Sequence, residues 1–129
     1  MASLADDGRA LAIAVGAARM GLGISVLLAP GAAMRAMLFG ETNAAGHGVA
    51  RLVGARDLGL GLAILAARED RQSLRRLTVT GGLLDVADAV ALGISVRNPG
   101  TRLAGIGGVL FAGSGAVLSA RAAQLLARG

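Results

Sequence analysis

Six charged residues stand inside the first three of four long apolar runs of this 129-residue chain: Arg19, Arg51, Arg56, Asp57, Asp85 and Asp88. A lone charge in hydrocarbon costs about 2.5–3.5 kcal/mol on the insertion scale, and more by other measures. Together the six can neutralise one another, because the planar fork of an arginine bonds two carboxylates at once. Asp85 and Asp88 lie three apart and share a helix face. Carboxylates that close repel each other unless an arginine sits between them. A pair in which one carboxyl keeps its proton and the other is ionised against an arginine can do cofactor-free acid/base work. On this reading Asp85 and Asp88 are the catalytic candidates for proton transfer, with Arg56 orienting them. Arg19, Asp57 and Arg51 complete a binding shell. Two other roles stay open: ion pairs that only specify helix register, and a path for protons or ions.

The composition narrows the field. Apolar residues make up 54% of the chain, and its mean hydropathy is +0.66. A chain without Cys and with one histidine, His47, has neither thiolate nor histidine sets for a metal. No metal and no cofactor are expected. The net charge of +5 comes from arginine alone, with no lysine. Scattered arginines and only two aromatics, Phe39 and Phe111, leave no stacking platform for bases. Nucleic acid is therefore excluded as a partner. Arginine-rich ends beside anionic lipid headgroups account for the excess charge.

The elements that must position these charges are four apolar runs, about 10–29, 49–67, 77–96 and 103–122. Each approaches the ~20 residues needed to cross ~30 Å of hydrocarbon. They end at Pro30-Gly31, at Arg68-Glu69-Asp70-Arg71 and at Arg97-Asn98-Pro99-Gly100. The expected fold is all-α: one integral membrane domain, residues 1–129, forming a four-transmembrane-helix bundle. The first run does not read as a signal peptide, since its flank, Asp6-Asp7-Gly8-Arg9, lacks a basic region. Between the first two runs, Met34, Met37 and Leu38 fall on one helix face with Arg35 off it, which predicts a short interfacial helix. A re-entrant or irregular linker is the other reading of that joint. A soluble bundle fits poorly, because the stretch from Leu103 to Ser119 carries no charge.

Seven arginines, Arg9, Arg68, Arg71, Arg75, Arg76, Arg121 and Arg128, fall on one side of such a bundle. Three, Arg35, Arg97 and Arg102, fall on the other. That asymmetry places both termini in the cytoplasm of a multi-pass plasma-membrane protein. The cluster residues except Arg51 count to about one depth, near the middle of their runs.

Small residues flank the charges. Gly16, Arg19 and Gly23 share a stripe in the first run, as do Gly54, Asp57 and Gly61 in the second. Gly81, Asp85, Ala89 and Gly93 form one in the third, and Ala104, Gly108, Ala112, Ala116 and Ala120 in the fourth. Such stripes let helices approach where lipid gives no hydrophobic drive. The fourth carries no charge before Arg121, and its stripe suits a second copy or a partner subunit. Gly105-Ile106-Gly107-Gly108 is packing, not a nucleotide loop, for it lacks the required offset and a preceding strand.

The segment from Arg51 through Gly54-Ala55-Arg56-Asp57 to Gly61 resembles the signature of a family of small four-helix membrane proteins of bacteria and fungi, a domain of unknown function. Arg19-Met20-Gly21-Leu22-Gly23 with Pro30, and Asp85 with Asp88, extend the resemblance over most of the chain. It is more loosely similar to DoxX-like four-helix membrane proteins. The resemblance implies four spans and no activity. The residues themselves point to a polar pocket, at mid-membrane, that binds and possibly transforms by acid/base chemistry a lipophilic small molecule. A scaffold subunit of a membrane complex and a proton-linked transporter are the alternatives.

Overall fold

Ser3 opens the first helix with a capping box: its hydroxyl accepts from the Asp6 backbone N–H while the Asp6 carboxylate accepts from the Ser3 backbone. The computed structural model describes residues 3–128 and is helical throughout. Its helices are α1 (Leu4–Leu28), α2 (Pro30–Ala36), α3 (Ala44–Ala66), α4 (Arg71–Ser95) and α5 (Arg102–Arg128). Asn43 caps α3 and Asp70 caps α4. The Ser73 hydroxyl and the Gln72 backbone N–H both donate to Asp70, and these bonds hold its carboxyl below the usual range.

The long helices outrun the apolar runs of the sequence. Asp6, Asp7 and Arg9 lie inside α1, Arg71, Arg75 and Arg76 inside α4, and Arg121 and Arg128 inside α5. Charges mark where hydrocarbon would end, but a capped helix continues through them. Three helices, α1, α4 and α5, are long and apolar enough to cross a membrane. The expectation of four is thus met by three on these grounds. At 23 residues α3 has the length, but Arg51, Arg56 and Asp57 break its apolar character.

Antiparallel packing follows from the glycines. A methyl group on Gly23 would lie 2.5 Å from the Leu58 backbone nitrogen, and one on Gly61 would lie 2.6 Å from the Gly16 carbonyl oxygen. Gly16 with Gly61 and Gly23 with Gly54 therefore press α1 onto α3 in opposite directions. On the other side α4 lies against α5, with the Leu92 side chain over Gly108 and the Leu92 carbonyl and Val96 over Gly105. α1 also runs along α5, while α4 approaches α1 and α3 only over a short stretch. The bundle is two tight pairs, α1/α3 and α4/α5, hinged along α1 and α5 and looser between α3 and α4.

The stripe of α5 departs from expectation. Ala104, Gly108 and Ala112 are buried within the chain, but Ala120 is exposed and Ala116 only half-buried. The buried seam goes on instead through Ser119, Ala122 and Leu126. Steps of four precess by about 40° each on a helix of 3.6 residues per turn, whereas alternating threes and fours stay on one side. The first half of this stripe is thus spent inside the chain, not on a second copy.

α2 forms where the methionine spacing predicted a helix, yet it ends before Leu38, which has a left-handed backbone (φ 66°) and is exposed. The apolar core of Ala12, Ile64, Leu74, Ala122 and Leu126 sits at the opposite end of the bundle from α2. Overpacking at Gly23 has nowhere to go, so Gly23→Ala is expected to destabilise by about 1–3 kcal/mol. Gly59→Ala, with open space around the added methyl, should be neutral or stabilise by up to about 1 kcal/mol. Reversible unfolding in mixed micelles would measure both, and equal effects would contradict the packing.

Candidate functional site

Three helices bring their charged residues to one place. α1 presents Arg19 from between Gly16 and Gly23, where the backbone is already pressed on α3. The Arg19 fork then spans two helices. Its Nη1 donates to Asp57 Oδ1 on α3 at 3.1 Å. Its Nη2 donates to Asp85 Oδ2 on α4 at 2.5 Å and to the Gly81 carbonyl oxygen at 2.9 Å. Arg56 holds Asp88 with both arms, Nη1 to Oδ1 at 2.9 Å and Nη2 to Oδ2 at 2.6 Å. The same Nη2 reaches Asp57 Oδ1 at 3.3 Å.

The result is a chain of alternating charge: Asp85, Arg19, Asp57, Arg56, Asp88. Asp57 is its middle link, one oxygen taking bonds from both arginines. Arg19, Asp57 and Asp85 are only 7%, 5% and 8% exposed, whereas Arg56 and Asp88 are half-buried. Asp85 and Asp88 have no arginine between them; each has its own. Gly115 of α5 makes room for the first, since a methyl there would lie 2.6 Å from Asp85 Oδ2.

Not all polar atoms are used. The Nε atoms of Arg19 and Arg56 are enclosed without a partner among the described residues. Among the described residues Asp57 Oδ2 and Asp85 Oδ1 accept no hydrogen bond, and neither atom is sealed in the packing. Both residues line a cavity of about 650 Å³, which also touches Arg19 and Asp88. From the cluster the cavity extends toward α2, between walls that include Val26, Val53, Leu92 and Phe111, and back along α1 to Val15 and Leu11. Ala33, Met34, Met37 and Phe39 line its α2 end.

Of the residues singled out by sequence, Arg19, Arg56, Asp57, Asp85 and Asp88 come together and Arg51 does not. Arg51 is exposed, and its Nε donates to the Leu27 carbonyl at 3.4 Å instead. Five residues earlier than Arg56, it stands about 140° further round the helix, away from α4. Asp88, expected to move protons, takes one hydrogen bond from Arg56 on each oxygen. Sequence reasoning passed over Gly115 and the two aromatics as site residues. Phe39 and Phe111 are the only aromatic side chains in the chain, and both line the cavity; that scarcity was the available signal. No family model matches the chain, and no curated protein or solved structure matches it significantly.

Replacing Arg19 by Met would leave Asp57 short of one partner and Asp85 without any. A loss of about 3–5 kcal/mol is expected in mixed-micelle unfolding. Arg51→Gln, outside the cluster, should change stability by no more than about 0.5 kcal/mol. Similar losses from the two would contradict this assignment.

Proposed function

We propose that this chain is a four-span membrane protein whose Arg/Asp cluster lies near mid-bilayer and, with the adjoining cavity, binds a lipophilic small molecule by its polar group. The observation that carries this reading is one cavity of about 650 Å³ with largely apolar walls and four of the five cluster residues on its surface. Its size falls in the range of small-molecule sites. Arg19, Asp57 and Asp85 lie within about one turn of the midpoints of their helices, which supports the depth. Because α3 runs antiparallel to α1 in close packing, it shares whatever depth α1 has, and its Arg56 and Asp57 are paired inward. That supports α3 as the fourth span, with α2 at the interface. The seven arginines at the end remote from α2 favour that end as cytoplasmic.

Cluster residues that served only to fix helix register would have no need of a cavity, nor of carboxylate oxygens left open beside it. Acid/base work, in this reading, belongs to those open atoms, Asp57 Oδ2 and Asp85 Oδ1. Arg19 holds both carboxylates in place, and Arg56 anchors Asp57 against Asp88.

Mass spectrometry of molecules that co-purify with the protein tests the proposal. Wild type should retain a lipophile, and Ala18→Trp, which fills the cavity from α1, should lose most of it while remaining folded. An identical set of lipids on both proteins, or no retained lipophile on either, would overturn it.

A further inference from the structure

The cluster is unbalanced. Three carboxylates, Asp57, Asp85 and Asp88, face two guanidiniums, Arg19 and Arg56. The third arginine of the apolar runs, Arg51, bonds to the Leu27 carbonyl and faces away. The remaining described ion pairs, Arg35 with Glu41 and Arg68 with Glu69, lie near helix ends. One negative charge is therefore left over inside an apolar bundle, where an uncompensated charge is costly.

The excess has a direction. Both oxygens of Asp88 are bonded to Arg56, so the open acceptor atoms are Asp57 Oδ2 and Asp85 Oδ1. Both residues are buried, with side chains 7% and 11% exposed, yet they border the cavity. What the cavity offers a ligand is thus a pair of hydrogen-bond acceptors with a net negative charge, set in apolar walls. A carboxylate- or phosphate-headed lipid would meet like charge there. A neutral alcohol could donate one hydrogen bond but would leave the charge uncompensated. A protonated amine on an alkyl or ring body supplies the charge and carries several N–H donors for acceptors of this kind.

We propose that the cavity selects lipophilic monocations with N–H donors, that is, protonated aliphatic amines. The proposal rests on the lipophile-binding reading above and names the ligand class for that site.

The test uses the full chain in nanodiscs of neutral phosphatidylcholine, photolabelled with diazirine-bearing dodecylamine, dodecanol or dodecanoic acid. Labelling of cavity residues such as Met34, Met37 and Phe39 is divided by labelling of the outward-facing Leu103 and Leu110, which corrects for partition into lipid. The amine should give a ratio at least tenfold above the alcohol, and the acid should give the lowest. Asp85→Asn makes the cluster two against two, so it should bring the amine ratio down to that of the alcohol. Should Asp85→Asn not fold, discrimination by the wild type decides. If amine and alcohol label the cavity equally, the excess charge is carried by a bound proton; the lipophile site then stands and the cation proposal falls. If none of the three labels the cavity above the outward face, both readings fall.

Discussion

A charge inside an apolar bundle must find its opposite, and that requirement organises this molecule. Arg19 is where it concentrates. One guanidinium on α1 bonds a carboxylate on α3, a carboxylate on α4 and a backbone carbonyl of α4. α1 and α4 otherwise meet only over a short stretch. Glycine contacts hold α1 to α3 and α4 to α5, but the two pairs face each other through ion pairs on this side. Close packing dominates where α1 meets α3, with Arg19 pairing to Asp57 there as well, and where Gly8 of α1 sits against Leu126 of α5. Ion pairs dominate where α4 meets α1 and α3.

That division explains why there is a cavity. Toward the end remote from α2, large apolar side chains such as Ile64, Leu74 and Leu126 fill the bundle completely. Around the cluster the pairs stand apart, and the cavity between them runs past Arg19 in both directions along α1, from Leu11 to Val26.

Much of this was readable in the residues, and what was not has physical causes. Gly16, Gly23, Gly54 and Gly61 announced a close helix pair, because glycines seven apart on an apolar helix have little other use. The grouping of Arg19, Arg56, Asp57, Asp85 and Asp88 followed from counting residues to a common depth. Pairing partners did not follow. Depth fixes position along the bundle axis but not around it, so Arg51 was counted among the partners and Asp85 and Asp88 were given one arginine to share. The α5 stripe misled because a spacing of four looks regular in sequence yet rotates off the buried face. α3 was legible as a long helix, but the weight of its three charges was not, and they set it apart from the three helices apolar enough to cross a membrane. The cavity was invisible, since it depends on how far apart the two helix pairs stand.

A double-mutant cycle between Arg19 and Asp85 addresses the central claim most directly, because it isolates the contact that ties α1 to α4. Stability in mixed micelles would be measured for wild type, Arg19→Met, Asp85→Leu and the double variant. The two residues should be coupled by more than about 1 kcal/mol, the double variant losing less than the single losses combined. Additivity within about 0.5 kcal/mol would mean that Arg19 and Asp85 do not hold the two helix pairs together.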